Sequence, residues 1–254
     1  MTETTGPNLE TPEAAEPQDA GSVAGNVIDL YFEPSAAFRR IFVRPRIWLA
    51  LLLQTALGVA FTTIWLQKMD AKAFMRAQIE QNPRVQELDP ERIDEIVNTQ
   101  ARFMTSWGRI APFFAPVVLD LVVAGFLLFM FRFFLASEVS FLQSLGIVSW
   151  SFVALGLIQT PVMLAILTLK GDWNIDPNEV IQANPMIFFE ASDLPRWLGA
   201  LLSSLDLFSL WTIFLLGTGY ATAGRRPLST GLWGVGIPWA LLVMLKVGSR
   251  LIFG

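Results

Sequence analysis

Five apolar runs, each close to the roughly 20 helical residues needed to cross a bilayer, constrain this chain more than any other feature. They cover residues 47–66, about 112–131, about 145–167, 198–217 and 232–253. A backbone inside hydrocarbon must satisfy its own polar groups, and single runs of this length do so as helices. The expected fold is therefore an all-α integral membrane protein with five transmembrane helices. Trp48 and Trp65 sit near the ends of the first run, as interfacial aromatics do. Pro161 falls inside the third, where neighbouring helices can re-satisfy the freed carbonyl. Only 16% of the residues are charged, against roughly 25% in soluble domains. No internal repeat is visible, so an inverted-repeat transporter architecture is not expected.

The segments between the runs divide the chain. Residues 1–27 read as a disordered acidic N-terminal tail, with neither the basic nor the apolar part of a signal peptide. Residues 28–254 read as one membrane domain. Ahead of the first run, Phe38, Ile41 and Phe42 recur at i, i+3, i+4, with Arg39 and Arg40 beside them and Pro34 at a helix start. That pattern predicts a short helix in the headgroup plane, its arginines near lipid phosphates. After the first run, Asp89-Pro90-Glu91 reads as an N-cap, a first-turn proline and a first-turn acid. Ile93, Ile96, Val97, Phe103, Met104, Trp107 and Ile110 follow at helical spacing, so this connection is expected to be an amphipathic extracytoplasmic loop.

Basic residues set the orientation. The interfacial cluster Arg39, Arg40, Arg44 and Arg46, then Arg132, then Arg225 and Arg226, all fall on one side of a five-span chain. The positive-inside rule makes that side cytoplasmic, with the C-terminus outside. The long first connection is a counterweight, since it carries seven basic residues of its own. Dense clusters beside short loops favour the N-in arrangement.

Chemistry is constrained mainly by what is missing. There is no histidine and no cysteine, which removes the commonest general base, the imidazole ligand and the thiolate together. A net charge of −4 gives no nucleic-acid footprint. The stretch from Gly231 through Gly234 to Gly236 lacks the lysine of a phosphate loop and opens a span. Its glycines are expected to let helices approach closely. No catalytic residue, cofactor or metal site is expected.

Four charges fall inside the runs: Asp120, Asp206, Lys246 and Arg250. Each is costly there, about 2.5–3.5 kcal/mol at a span centre. Counted from the span limits at ~1.5 Å per residue, Asp120, Asp206 and Lys246 each sit roughly 10–12 Å below the same outer face. This matching depth predicts a clasp of Asp206 with Lys246, and of Asp120 with Arg250. Intramembrane carboxylates also open two other readings. One is a small transporter or ion pathway using Asp120 and Asp206 as a relay. The remote one is an intramembrane aspartyl protease, in which two carboxylates share a proton.

Two stretches resemble a known family. Phe32-Glu33-Pro34, then Phe38-Arg39-Arg40-Ile41, then Pro45 and Trp48, is similar to the opening of bacterial Yip-domain (Ypt-interacting protein) membrane proteins. Leu205-Asp206-Leu207-Phe208-Ser209-Leu210-Trp211, continuing to Leu215, Leu216, Gly217 and Gly219, resembles that family's fourth span, preceded by Asn184-Pro185 and Asp193. The resemblance implies five spans, a cytosolic N-terminus and a non-enzymatic interaction or membrane-organising role. Its partners would be the lipid bilayer and other membrane proteins, or a second copy of the chain. Eukaryotic relatives associate with prenylated Rab-type GTPases. Here Asp29-Leu30-Tyr31 runs into Phe32-Glu33-Pro34 in place of that branch's Asp-Leu-Tyr-Gly-Pro, which puts GTPase binding in question. Localisation to a bacterial cytoplasmic membrane is the corresponding expectation.

Overall fold

The computed structural model describes residues 20–80, 88–189 and 194–253. Most of the tail, together with Arg84 and Asp193, lies outside those residues. Among the described residues every regular element is a helix.

The N-terminal part is a folded helical layer. Ser22 caps α1 (Val23–Phe32) by accepting from the Gly25 amide at 3.0 Å. Helix α1 therefore begins inside the stretch read as tail. Pro34 opens α2 (Pro34–Val43) at the first turn, where its missing N–H has no helical partner to lose. The Arg40 side chain crosses between the two helices, bonding Asn26 Oδ1 at 2.9 Å and pairing with Asp29. Phe38 and Ile41 are buried against the bundle rather than turned to lipid. Helix α2 thus packs on α6 and α9, which corrects the expectation of a helix lying free in the headgroup plane. The stripe was legible; what covers it was not. Tyr31 ties the layer down by donating its hydroxyl to the Ala154 carbonyl, and burial raises the phenol's pKa above its ordinary value.

Helix α3 (Ile47–Lys68) is the first span. It is followed by α4 (Ala71–Glu80) and then by α5 (Pro90–Leu135), a helix of 46 residues. Asp89 stands at its N-cap and Pro90 in its first turn, as the sequence predicts. The loop helix and the second span, however, are one element. Pro112 and Pro116 lie within it, yet a proline inside a span need not end the helix when the freed carbonyls are re-satisfied. Helix α4 packs back on the outer part of α5, with an Arg76–Asp94 ion pair between them.

A capping box of Ser140 and Gln143 starts α6 (Phe141–Lys170), and Gly171 ends it at φ 68°. The short α7 (Pro177–Val180) follows, and Val180 joins Trp65, Met69, Phe74 and Leu167 in a second, smaller apolar cluster.

The fourth span departs from expectation. It is two helices, α8 (Arg196–Ser204) and α9 (Leu207–Ala223), bent by 48° at Leu205-Asp206. Asp206 causes the restart: its carboxylate accepts from the Ser209 amide at 2.9 Å, the geometry of an N-cap. The last helix, α10 (Leu228–Phe253), returns against α9 and α8. Among the described residues, four helices are long and apolar enough to cross a membrane, or five when the bent pair counts as one span.

Small residues weld α9 to α10. A Cβ on Gly231 would lie 2.0 Å from the Gly217 carbonyl oxygen, and one on Gly217 would lie 2.9 Å from Leu232 Cδ2. Gly234 faces α5 instead, where a Cβ would lie 2.5 Å from the Phe131 ring, whereas Gly236 has ordinary room. Close approach therefore explains two of the three glycines in that motif.

Candidate functional site

The deepest charge is Asp120, on the face of α5 turned to α3 and α6. It is fully buried. Gln54 Nε2 on α3 donates to its Oδ2 at 3.0 Å, and Ser149 Oγ on α6 donates to the same oxygen at 2.6 Å. Gln54 also reaches the Ser149 carbonyl at 3.1 Å, so three helices meet at one polar node. The other carboxylate oxygen, Oδ1, has no hydrogen-bond partner. No cation pairs with Asp120 among the described residues, and Arg250 makes no ion pair there either. The expected Asp120–Arg250 contact is not formed.

Depth also needs correcting. Gln54 is seven residues into α3 and Ser149 eight into α6, about 10–12 Å from those helix starts. Asp120 is therefore level with the early turns of α3 and α6, not placed by distance from the opposite face. Sequence reasoning missed Gln54 and Ser149 because neither is charged. The available signal was Gln54 as an amide within an otherwise apolar first span.

Asp206 and Lys246 do not pair. Both Asp206 oxygens turn to its own helix start, one to the Ser209 amide and one to the Ser209 hydroxyl. Lys246 Nζ reaches Ser204 Oγ at 3.1 Å and Ser203 Oγ at 3.3 Å. Their placement explains why neither needs the other. Helix α9 runs 17 residues from Asp206 to its end at Ala223, about 25 Å, and Lys246 lies about 27 Å along α10 from Leu228. Both distances approach the ~30 Å thickness of a hydrocarbon core. These groups sit towards the far end of their helices, where polar partners become available.

Asp206 also lines a recess of about 710 Å³ formed mainly by α5, α6, α9 and α10. Its wall is mainly apolar, with Phe126, Leu127, Met163, Ile213, Trp239 and Leu242 contributing. Asp206, Ser203, Ser209 and Thr212 bring polar side chains to it, as do Gln159, Asn178 and Asn184. Asp120 is not among its lining residues, and the two aspartates bond to different partners, Gln54 and Ser149 for one and Ser209 for the other. The geometry gives no support to a shared-proton carboxylate pair.

The opposite end of α9 carries the basic surface. A groove of about 660 Å³ runs between the α1–α2 corner and the α9–α10 turn, lined by Phe32, Glu33, Arg39, Phe214, Arg225 and Arg226 among others. Phe32 is 79% exposed at its rim. Arg39, Arg44, Arg46 and Arg225 have no acidic partner among the described residues, and Arg226 reaches the Ala136 carbonyl at 3.3 Å. Among the described residues, only Arg40 of the predicted interfacial cluster has an acidic partner. Among the described residues, no group of three or more acidic side chains is placed to hold a metal ion.

The Yip1 domain family model matches residues 28–248. No curated protein and no solved structure matches the chain.

Proposed function

Because the chain belongs to the Yip1 domain family, we propose that it is a non-enzymatic membrane protein that organises its membrane through contacts with other membrane proteins or with itself. The observation that carries this reading is the groove at the α1–α2 corner. It combines an exposed aromatic, Phe32, with Arg39 and Arg225, which form no ion pair among the described residues, and with one acid, Glu33. Aromatic and arginine side chains together are the usual anchors of protein interfaces. Arg39 projects from α2, whose Phe38 and Ile41 are buried in the bundle, so its backbone is already fixed before a partner arrives. We place this surface on the cytoplasmic side of a bacterial inner membrane, with the C-terminus outside, following the arginine distribution.

A photo-crosslinking residue at Phe32 or Arg39, used in the native membrane and read by mass spectrometry, tests the proposal. A reproducible protein adduct, absent when the probe stands at lipid-facing Leu245, is the expected result. An ion pathway is the competing reading, and the unpartnered oxygen of Asp120 is what favours it. No protein adduct from either groove position, together with Asp120-dependent ion flux in liposomes, would replace the first reading with the second.

A further inference from the structure

The recess between α5, α6, α9 and α10 differs in character between its wall and its edge. The wall is built from Val122, Phe126, Leu155, Ile213, Trp239 and Leu242, a surface that water occupies poorly. Its volume, about 710 Å³, falls in the range of roughly 300–1,000 Å³ found for small-molecule sites. In a bilayer the apolar material at hand beside such a recess is an acyl chain.

The edge supplies a charge preference. Ser203 lines the recess and also accepts from Lys246, so the ammonium stands at its border. Arg250 follows at i+4, on the same face of α10. Neither cation has a carboxylate partner among the described residues. The acid that lines the recess itself, Asp206, has both oxygens engaged at the start of α9, where the helix dipole offsets its charge. Lys246 lies about 27 Å along α10 from Leu228, close to the depth at which the ~30 Å core gives way to phosphates.

We propose that this recess is a phospholipid site: one acyl chain occupies the apolar wall, and the phosphate of an anionic lipid rests on Lys246, with Ser203, Ser204 and Arg250 around it. Lysine contacts phosphate as a point charge with rotatable donors, which suits a mobile headgroup. The proposal does not depend on the interaction surface at the α1–α2 corner, which lies at the other end of α9.

Native mass spectrometry of the full chain in detergent tests it, using phosphatidylglycerol and phosphatidylcholine with identical acyl chains. The expected result is one retained phosphatidylglycerol, favoured about fivefold over phosphatidylcholine, in line with one cation near a headgroup. Lys246→Met should remove the preference, and Lys246→Arg should keep it. Leu242→Trp, which narrows the recess, should lower retention of both lipids. Arg250→Met changes an exposed side chain with no partner, so it provides a folded variant if Lys246→Met fails to fold, and it should weaken the preference. Equal retention of the two lipids by the unaltered protein would overturn the proposal. So would a preference unchanged in both Lys246→Met and Arg250→Met. Displacement of phosphatidylglycerol by millimolar inorganic phosphate would indicate a free-anion site and overturn it too, as would a dimer that forms only when lipid leaves.

Discussion

Replacing Gly231 by alanine sets two effects of opposite sign against each other. Alanine is the better helix former, by about 1 kcal/mol. Its methyl, however, would stand 2.0 Å from the Gly217 oxygen and 2.9 Å from that carbonyl's carbon, where ordinary contacts begin at 3.4 Å. Both obstacles are backbone, so no rotamer change relieves them. The helices must part by about 1 Å, and a gap of that size forfeits a quarter to a half of each contact along the seam. Overpacking of this kind costs typically 1–3 kcal/mol, and backbone obstruction puts it at the upper end. The net expectation is a loss of about 2 kcal/mol, or about 4–8 °C in melting temperature for a chain of this size. Thermal unfolding in one detergent, followed by circular dichroism, measures it. Gly248→Ala is the control, since a Cβ there meets nothing within 4 Å; it should melt at or slightly above the parent. A Gly231→Ala protein that melts with the control would refute the close-packed seam.

Other outcomes can be stated briefly. A reporter at the C-terminus should read as extracytoplasmic and one inserted beside Arg225 as cytoplasmic; finding both on one side would contradict α10 as a span. Asp206→Asn and Lys246→Met should add within about 0.5 kcal/mol in a double-mutant cycle, because their partners differ; coupling above ~1 kcal/mol would restore the direct clasp. Asp120→Asn keeps an acceptor for Ser149 and Gln54 and should melt near the parent, while Asp120→Ala leaves buried donors unpaired at about 1–3 kcal/mol. Identical melting of these two variants would show that the node contributes no stability. Deleting residues 2–18 should leave insertion and melting unchanged, since their composition offers little apolar surface to pack; a large loss of melting temperature would show that they dock.

What the sequence made legible follows length and pattern. Runs of apolar residues reveal spans because hydrocarbon thickness sets one required length, and the cap at Asp89-Pro90 was readable because it is local. The bend at Asp206 was not recovered, although the same logic applies: an aspartate three residues ahead of a serine amide is an N-cap as readily as a mid-helix charge. Its apolar flanks, Leu205 and Leu207, concealed the break. The expected clasps failed for a related reason. Depth counted from assumed span limits assigns partners only when helices are straight and aligned, and here one span is broken while another extends far beyond the bilayer. Gln54 and Ser149 escaped notice because hydrogen-bond partners of a buried carboxylate need not carry charge.

The length of α5 has an electrostatic consequence. From Pro90 to the aromatic and proline positions at Trp107 and Pro112, the helix covers about 25–33 Å. Even at a 40° tilt, the upper limit seen for spans, its tip would stand about 20 Å or more from the lipid surface. The Debye length at physiological ionic strength is about 8 Å, so about two screening lengths separate Glu91 and Arg92 from the headgroups even at that tilt. The charges at that tip are thereby insulated from the membrane's surface potential and respond to soluble partners and salt alone. Arg39 and Arg225, close to the packed bundle at its other end, have no such helical stalk to hold them away from a membrane surface.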